Sequence, residues 1–110
     1  MQKRLISASE ITGITGSKKF GNEQEINSLV KLGMESQYDN LCTFCTNKQY
    51  LQSIIDTCKY KVVFITELLF EDMDLLNLIL QQTFLICENP KETFFSLHKY
   101  LYEKTCFYTA

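Results

Sequence analysis

A chain of 110 residues and 12.9 kDa holds one domain, because two independent hydrophobic cores do not fit in that length. Hydrophobic residues at 45% and charged residues at 22% exclude an intrinsically disordered chain, and 1 Pro with 4 Gly excludes a collagen-like or low-complexity one. The 11 Lys+Arg against 13 Asp+Glu leave a net charge of −2, which argues against a protein that binds the nucleic-acid backbone.

The first element signal is Ser7-Ala-Ser-Glu10 ahead of Ile11 and Ile14, a capping box with Ser7 as N-cap and Glu10 at N3. The helix it opens starts at about Ala8 and stops near Gly13 or Gly16, where the backbone can turn left-handed. Lys18 to Phe20 reads as a short strand closed by the Gly21-Asn22 turn signal. Ile26 to Leu32 is the next strand, on an imperfect alternation of Ile26, Leu29, Val30 and Leu32, and Gly33 to Asn40 reads as a polar loop.

An α/β rhythm follows. Leu41 to Phe44 is a short strand, and Leu51, Ile54, Ile55 and Cys58 then fall at i, i+3, i+4 and i+7 of a helix. Lys61 to Thr66 is a β-branched run with polar residues on either side, which predicts a buried strand. Leu68 to Gln82 reads as a helix, with Glu71, Asp72 and Asp74 as charges favoured by its N-terminal dipole. Thr83 to Cys87 is another apolar strand. Asn89-Pro90 is the clearest helix start, with Asn as N-cap, Pro at N1 and Glu92 at N3. That helix runs to about Glu103 and turns Phe94, Leu97 and Leu101 inward, with His98 either packed beside them or at the solvent edge. Strands alternating with helices indicate an α/β class: a small mixed or partly parallel sheet with flanking helices in a single domain, its last two strands joined by a crossover.

No apolar run approaches the about 20 residues that cross a bilayer. Lys3 and Arg4 are followed by no apolar stretch, which argues against a signal peptide and for a cytoplasmic protein. The five cysteines, Cys42, Cys45, Cys58, Cys87 and Cys106, then read as reduced thiols, several of them small hydrophobes within apolar runs. Cys42-x-x-Cys45 could supply two zinc ligands or a redox pair, but no second pair follows. Strand alternation also sends the two thiols to opposite faces or into the turn.

Phe44-x-x-Asn47-x-x-Tyr50 is the most informative segment. It sets an aromatic at the carboxyl end of a strand, then an Asn and a second aromatic in the first turn of the next helix. Ligands of open α/β sheets sit at such strand ends. Two rings can stack on a flat heterocycle, and one carboxamide matches the N3–H and neighbouring carbonyl of uracil, whereas cytosine has no N3–H to offer. The same residues also admit a purely structural reading: Phe44 as core, Asn47 as helix cap and Tyr50 as a half-exposed surface ring.

Leu41-Cys-Thr-Phe-Cys-Thr-Asn-Lys-Gln-Tyr-Leu51 resembles the LSFLxNxKYL stretch in the N-terminal domain of the UDP-3-O-acylglucosamine N-acyltransferases of lipid A (lipopolysaccharide) biosynthesis. Ser7 to Gly16, Ile26 to Leu32, Lys61 to Thr66 and Ile86 to Pro90 with Phe94 and Phe95 are similar to further segments of that domain, in the same order. The resemblance implies a UDP-sugar-binding domain spanning residues 1–110, in which Phe44 and Tyr50 stack on uracil and Asn47 reads its edge. Lys48, beside the motif, is the candidate phosphate contact. Asp39-Asn40 replaces the usual Gly-Asp before the motif, and Lys59, Tyr60 and Lys61 replace small residues. The family's catalytic histidine sits in a left-handed β-helix whose hexapeptide period is not present, and His98 does not align with it.

The resemblance therefore implies a part that positions the sugar nucleotide and carries no catalytic residue, cofactor or metal of its own. Acyl carrier protein as donor and the family's trimer both belong to the β-helix, so the domain by itself is expected to be a monomer or weak oligomer. Two alternatives stand beside this reading. One is a protein-interaction module on the same fold, with a filled-in Phe44/Tyr50 cleft and an exposed apolar face of Phe95, Tyr102 and Phe107. The other is a small zinc or thiol-redox protein.

Overall fold

A computed structural model of the chain describes residues 5–34, 38–56, 59–71, 82–105 and 107–108. Local capping sets its helix starts. Strand β1 (Ile6–Ser7) leads straight into α1 (Ala8–Thr15), where Ser7 Oγ accepts a bond from Glu10 N at 3.1 Å. Gly16, at φ 74, ends the helix by donating its N–H to Thr12 O at 2.8 Å. The helix at Pro90–Lys104 begins in the same way, with Asn89 Oδ1 accepting from Glu92 N at 3.1 Å. Proline in its first turn sacrifices no hydrogen bond, since that N–H has no intrahelical acceptor.

Between these helices lie β2 (Lys18–Phe20), β3 (Glu25–Ile26), β4 (Ser28–Leu29), β5 (Leu41–Phe44), α2 (Lys48–Asp56), β6 (Tyr60–Ile65), α3 (Glu67–Glu71) and β7 (Thr83–Ile86), which makes the Pro90–Lys104 helix α4. The main sheet has five strands in the order β2-β7-β6-β5-β4. Strands β4, β5, β6 and β7 run parallel, and β2 closes the far edge antiparallel to β7. Strands β1 and β3 form a separate antiparallel pair. The class is α/β, as the alternation of elements predicts.

The single strand expected over Ile26 to Leu32 is two. Ile26 pairs with Ile6 in the small sheet, whereas Ser28 pairs with Leu41 in the large one. Asn27 makes the transfer, its N–H reaching Asn40 O at 2.9 Å. A continuous strand cannot serve two sheets that present different neighbours, so the backbone changes direction between them. A further bond from Val30 N to Cys42 O at 3.0 Å extends the pairing, and a turn closed by Met34 N on Lys31 O at 3.1 Å follows.

Helix α3 covers Glu67–Glu71 of the helix expected over Leu68 to Gln82. Residues 72–81 lie outside the described residues, with Asp72 and Asp74 among them, and so do Cys58 and Cys106. At the far end the expectation is corrected: Gln82 is not helical but the buried residue that introduces β7.

Period-two alternation divides the core between two faces of the sheet. Val62, Phe64 and Leu85 pack with Ile11 of α1 and with Phe94, Leu97 and Leu101 of α4. Val63, Ile65 and Phe84 pack with Leu51 and Ile54 of α2 and Phe70 of α3. Of the two positions open to His98, packed or at the solvent edge, the structure has the second: it is exposed and shares a 2.6 Å hydrogen bond through Nδ1 with the Tyr108 hydroxyl. No helix among the described residues is long and apolar enough to cross a membrane.

Candidate functional site

Because β4 to β7 are parallel, their carboxyl ends share one edge of the sheet. Strand β5 delivers Phe44 to that edge. Its half-buried ring packs on Phe94 and Phe95 of α4, with centroids 4.9 and 6.0 Å away. The next residue, Cys45, points to the opposite face, into the core beneath α2, and its N–H bonds to Phe64 O at 2.9 Å. The chain then turns through Thr46 and Asn47 into α2. Asn47 is the cap of that helix, Oδ1 accepting from Gln49 N at 2.9 Å. One turn of helix then brings Tyr50 back over the strand end, with half of its surface (50%) exposed.

Phe44 and Tyr50 line one cavity of about 580 Å³, within the size range of small-molecule sites. Tyr60 adds a third ring, Thr46 and Ser53 add hydroxyls, and Lys31 is the one charged side chain among the described lining residues. The cavity thus forms where α2, the end of β5 and the turn after β4 meet.

Of the residues singled out in the sequence, the structure brings Phe44 and Tyr50 together on this cavity. Asn47 and Lys48 do not line it; both are exposed at the start of α2. The structural reading of the three motif residues also fits, since Phe44 packs on α4, Asn47 caps α2 and Tyr50 is half-exposed. The two readings are compatible, because a capping carboxamide keeps a second lone pair and its N–H donors. Sequence reasoning missed Lys31 and Tyr60. The alternation over Ile26 to Leu32 puts Lys31 in a strand interior, but pairing ends at Val30 and leaves it in the turn at the carboxyl edge.

A larger cavity of about 1010 Å³ opens beside the ends of β6 and β7. Glu67, Glu88 and Glu92 make its lining acidic. Its capping groups are already engaged: Thr66 Oγ1 accepts from Leu69 N at 3.3 Å, and Asn89 Oδ1 accepts from Glu92 N. Burial pushes the thiol of Cys87 up, so it is no poised nucleophile.

The other sequence candidates sort by burial. Cys42 lies in the core under α1 and α4 and Cys45 in the core under α2, so the pair shares no site for zinc or a disulfide. Among the described residues no three His, Cys, Asp or Glu side chains gather as a metal site. Full burial raises the Cys42 thiol far above the ordinary cysteine value. Iodoacetamide is therefore expected to leave Cys42 unmodified in the native protein and to label it fully in denaturant, as peptide mass spectrometry would read. Native labelling of Cys42 would contradict its burial. The apolar face envisaged from Phe95, Tyr102 and Phe107 does not assemble, because Phe107 is 1% exposed while Tyr102 is 73% exposed.

In comparisons with known proteins, no protein-family model and no curated protein matches the chain.

Proposed function

We propose that the chain is a nucleotide-recognition domain that clasps a uracil ring between Phe44 and Tyr50, serving a UDP-sugar N-acyltransferase of the lipid A type. The observation that carries this reading is the shared cavity: two aromatic residues, spaced as in the resembling motif, line one open space at the carboxyl end of β5. Stacking on aromatic side chains contributes about 1–3 kcal/mol per base and tolerates any base, so it gives affinity without identity. Identity would come from Asn47, which is exposed beside the lining residue Thr46 and meets the edge of the base outside the cavity lining itself. Its N–H groups donate to a pyrimidine carbonyl, and the second lone pair of Oδ1 takes the uracil N3–H while the first goes on capping α2.

In this role the domain contributes uniform binding. It holds the nucleotide end of the substrate so that the sugar amine meets an acyl donor elsewhere, and the chemistry belongs to a β-helix partner domain that engages acyl carrier protein. The working compartment is then the cytoplasm, and trimerisation follows from the β-helix and not from these residues.

Affinity for the base alone should be weak, with a Kd in the millimolar range, about 4 kcal/mol. Titration with uridine, followed by amide NMR, is expected to shift the resonances of residues around Phe44, Asn47 and Tyr50. Cytidine and adenosine should give smaller shifts. Tyr50→Ala should abolish the response and leave the spectrum dispersed, since that ring is half in solvent. Phe44→Ala should abolish it as well, at some cost in stability from the lost contact with Phe94. Absence of any shift at about 10 mM uridine, well above such a Kd, would overturn the proposal, and so would equal shifts with adenosine.

A further inference from the structure

The charges along the carboxyl edge of the sheet are not evenly distributed. Among the described residues that line the aromatic cavity, Lys31 is the one with a charge, and none is a carboxylate. Around the neighbouring cavity the described lining residues include Glu67, Glu88 and Glu92 and no cation. The edge is therefore cationic beside β4 and β5 and acidic beside β6 and β7.

Lys31 is also held where it could matter. Its ammonium lies 5.4 Å from the centroid of the Phe95 ring, and that ring lies 6.0 Å from Phe44. The cation thus rests on a ring that packs beside Phe44, which lines the cavity, and this cation–π contact restrains a flexible side chain. The turn that carries it is tied by Met34 N on Lys31 O at 3.1 Å.

Resting on the uracil reading above, we infer that Lys31 is the phosphate contact of this site, so that the ligand is an anionic nucleotide and not a neutral nucleoside. A ring seated between Phe44 and Tyr50 leaves its ribose phosphate two directions along the edge. The acids near β6 and β7 repel it and Lys31 attracts it, so the phosphate chain points toward β4. Electrostatics here sets orientation as well as affinity. The inference gives this role to Lys31 in preference to Lys48, which lies outside the cavity lining.

The test is a titration of the wild-type chain with uridine, uridine monophosphate and uridine diphosphate, repeated with Lys31→Ala, Lys31→Gln and Lys31→Glu. At low salt the nucleotides should bind about three- to tenfold tighter than uridine, as one partly solvated ion pair allows. That advantage should vanish near 1 M salt, where screening acts within about 3 Å. Lys31→Ala and Lys31→Gln should bring nucleotide affinity down to that of uridine for the same variant, so that the nucleotide-to-uridine ratio falls to about one. Lys31→Glu should make the nucleotides bind more weakly than uridine.

Equal affinity of the wild type for uridine and its diphosphate would overturn the inference while leaving the uracil reading intact. An equal weakening of uridine and diphosphate by Lys31→Gln would also overturn it, because Lys31 would then only brace the aromatic wall. Diphosphate binding that depends on Lys31, with no difference between uracil and adenine nucleotides, would support the phosphate contact and sink the uracil reading. Failure of every ligand to bind the wild type sinks both.

Discussion

Replacing Gly21 by alanine is expected to lower stability by about 2–4 kcal/mol, a loss that combines backbone strain with a steric clash. Gly21 follows β2 at φ 120, a conformation that L residues rarely adopt. A Cβ built there would stand 2.9 Å from Gln82 O and 3.2 Å from Thr83 Cα. Both obstacles are backbone atoms at the start of β7, so no side chain can swing aside. The turn is further tied by the hydroxyl of Thr83, which donates to Asn22 O. Relief would require β2 to move off β7, where Phe20 and Phe84 are paired. Gly16→Ala makes the control: its φ is 74 but nothing lies within 4 Å of the new atom, so it should cost only the strain, about 1–2 kcal/mol. Thermal melts separate the two, at roughly 4–8 °C per kcal/mol for a domain of this size. Equal losses for the two variants would show that the close approach at Gly21 is not real.

The second large effect is expected at Gln82. It is 2% exposed, and its Nε2 donates to Ile54 O at 2.8 Å and Tyr60 O at 3.0 Å. Ile54 lies in the last turn of α2, where carbonyls run out of intrahelical donors, and Tyr60 opens β6 ahead of its pairing with β7. One amide thus fastens the end of the crossover helix to the strand it feeds. Gln82→Leu keeps the volume and removes the donor from both carbonyls, which should cost about 2–4 kcal/mol.

Gln82→Glu carries a sharper signature. A carboxylate facing two carbonyl oxygens in a buried site is disfavoured, so its folded-state pKa rises above the unfolded value of about 4.3. Between those two values the folded state holds a proton that the unfolded state has lost, so stability falls as pH rises. The variant should come closest to the parent near pH 4 and lose up to about 1.4 kcal/mol for each pH unit above it, until the folded-state pKa is passed. Urea titrations across that range would read the slope. A pH-independent difference from the parent would mean that the side chain at 82 reaches solvent.

Placing the cavity on the β4–β5 side of the sheet has a physical basis in the topology. Parallel strands put all their carboxyl ends on one edge, and each connection leaves from there. The chain leaves β5 through Cys45, Thr46 and Asn47 into α2, so an aromatic at the last strand position and one in the first helical turn must approach the same space. Edge strand β4 is only Ser28–Leu29, and the segment that follows it brings Lys31, Leu32 and Gly33 to the cavity.

Features written within a few residues of one another are legible in the chain before it folds. Ser7 with Glu10 and Asn89 with Glu92 specify helix starts, because a cap bonds to an N–H three positions on. The run from Lys61 to Ile65 specifies a buried strand by its branched and aromatic side chains, and the spacing of Phe44 and Tyr50 puts two rings at one strand end. Long-range packing fixes the rest. It broke the Ile26 to Leu32 segment at Asn27, since the two halves pair with strands distant in sequence. It turned Gln82 from a helix position into a buried clamp by offering it two carbonyls 28 and 22 residues away. It also set Lys31 and Tyr60 beside Phe44, completing a cavity whose charge no short window of sequence contains. Local bonds are encoded by local spacing, whereas pairing partners and cavity walls depend on which distant segments bury their apolar faces together.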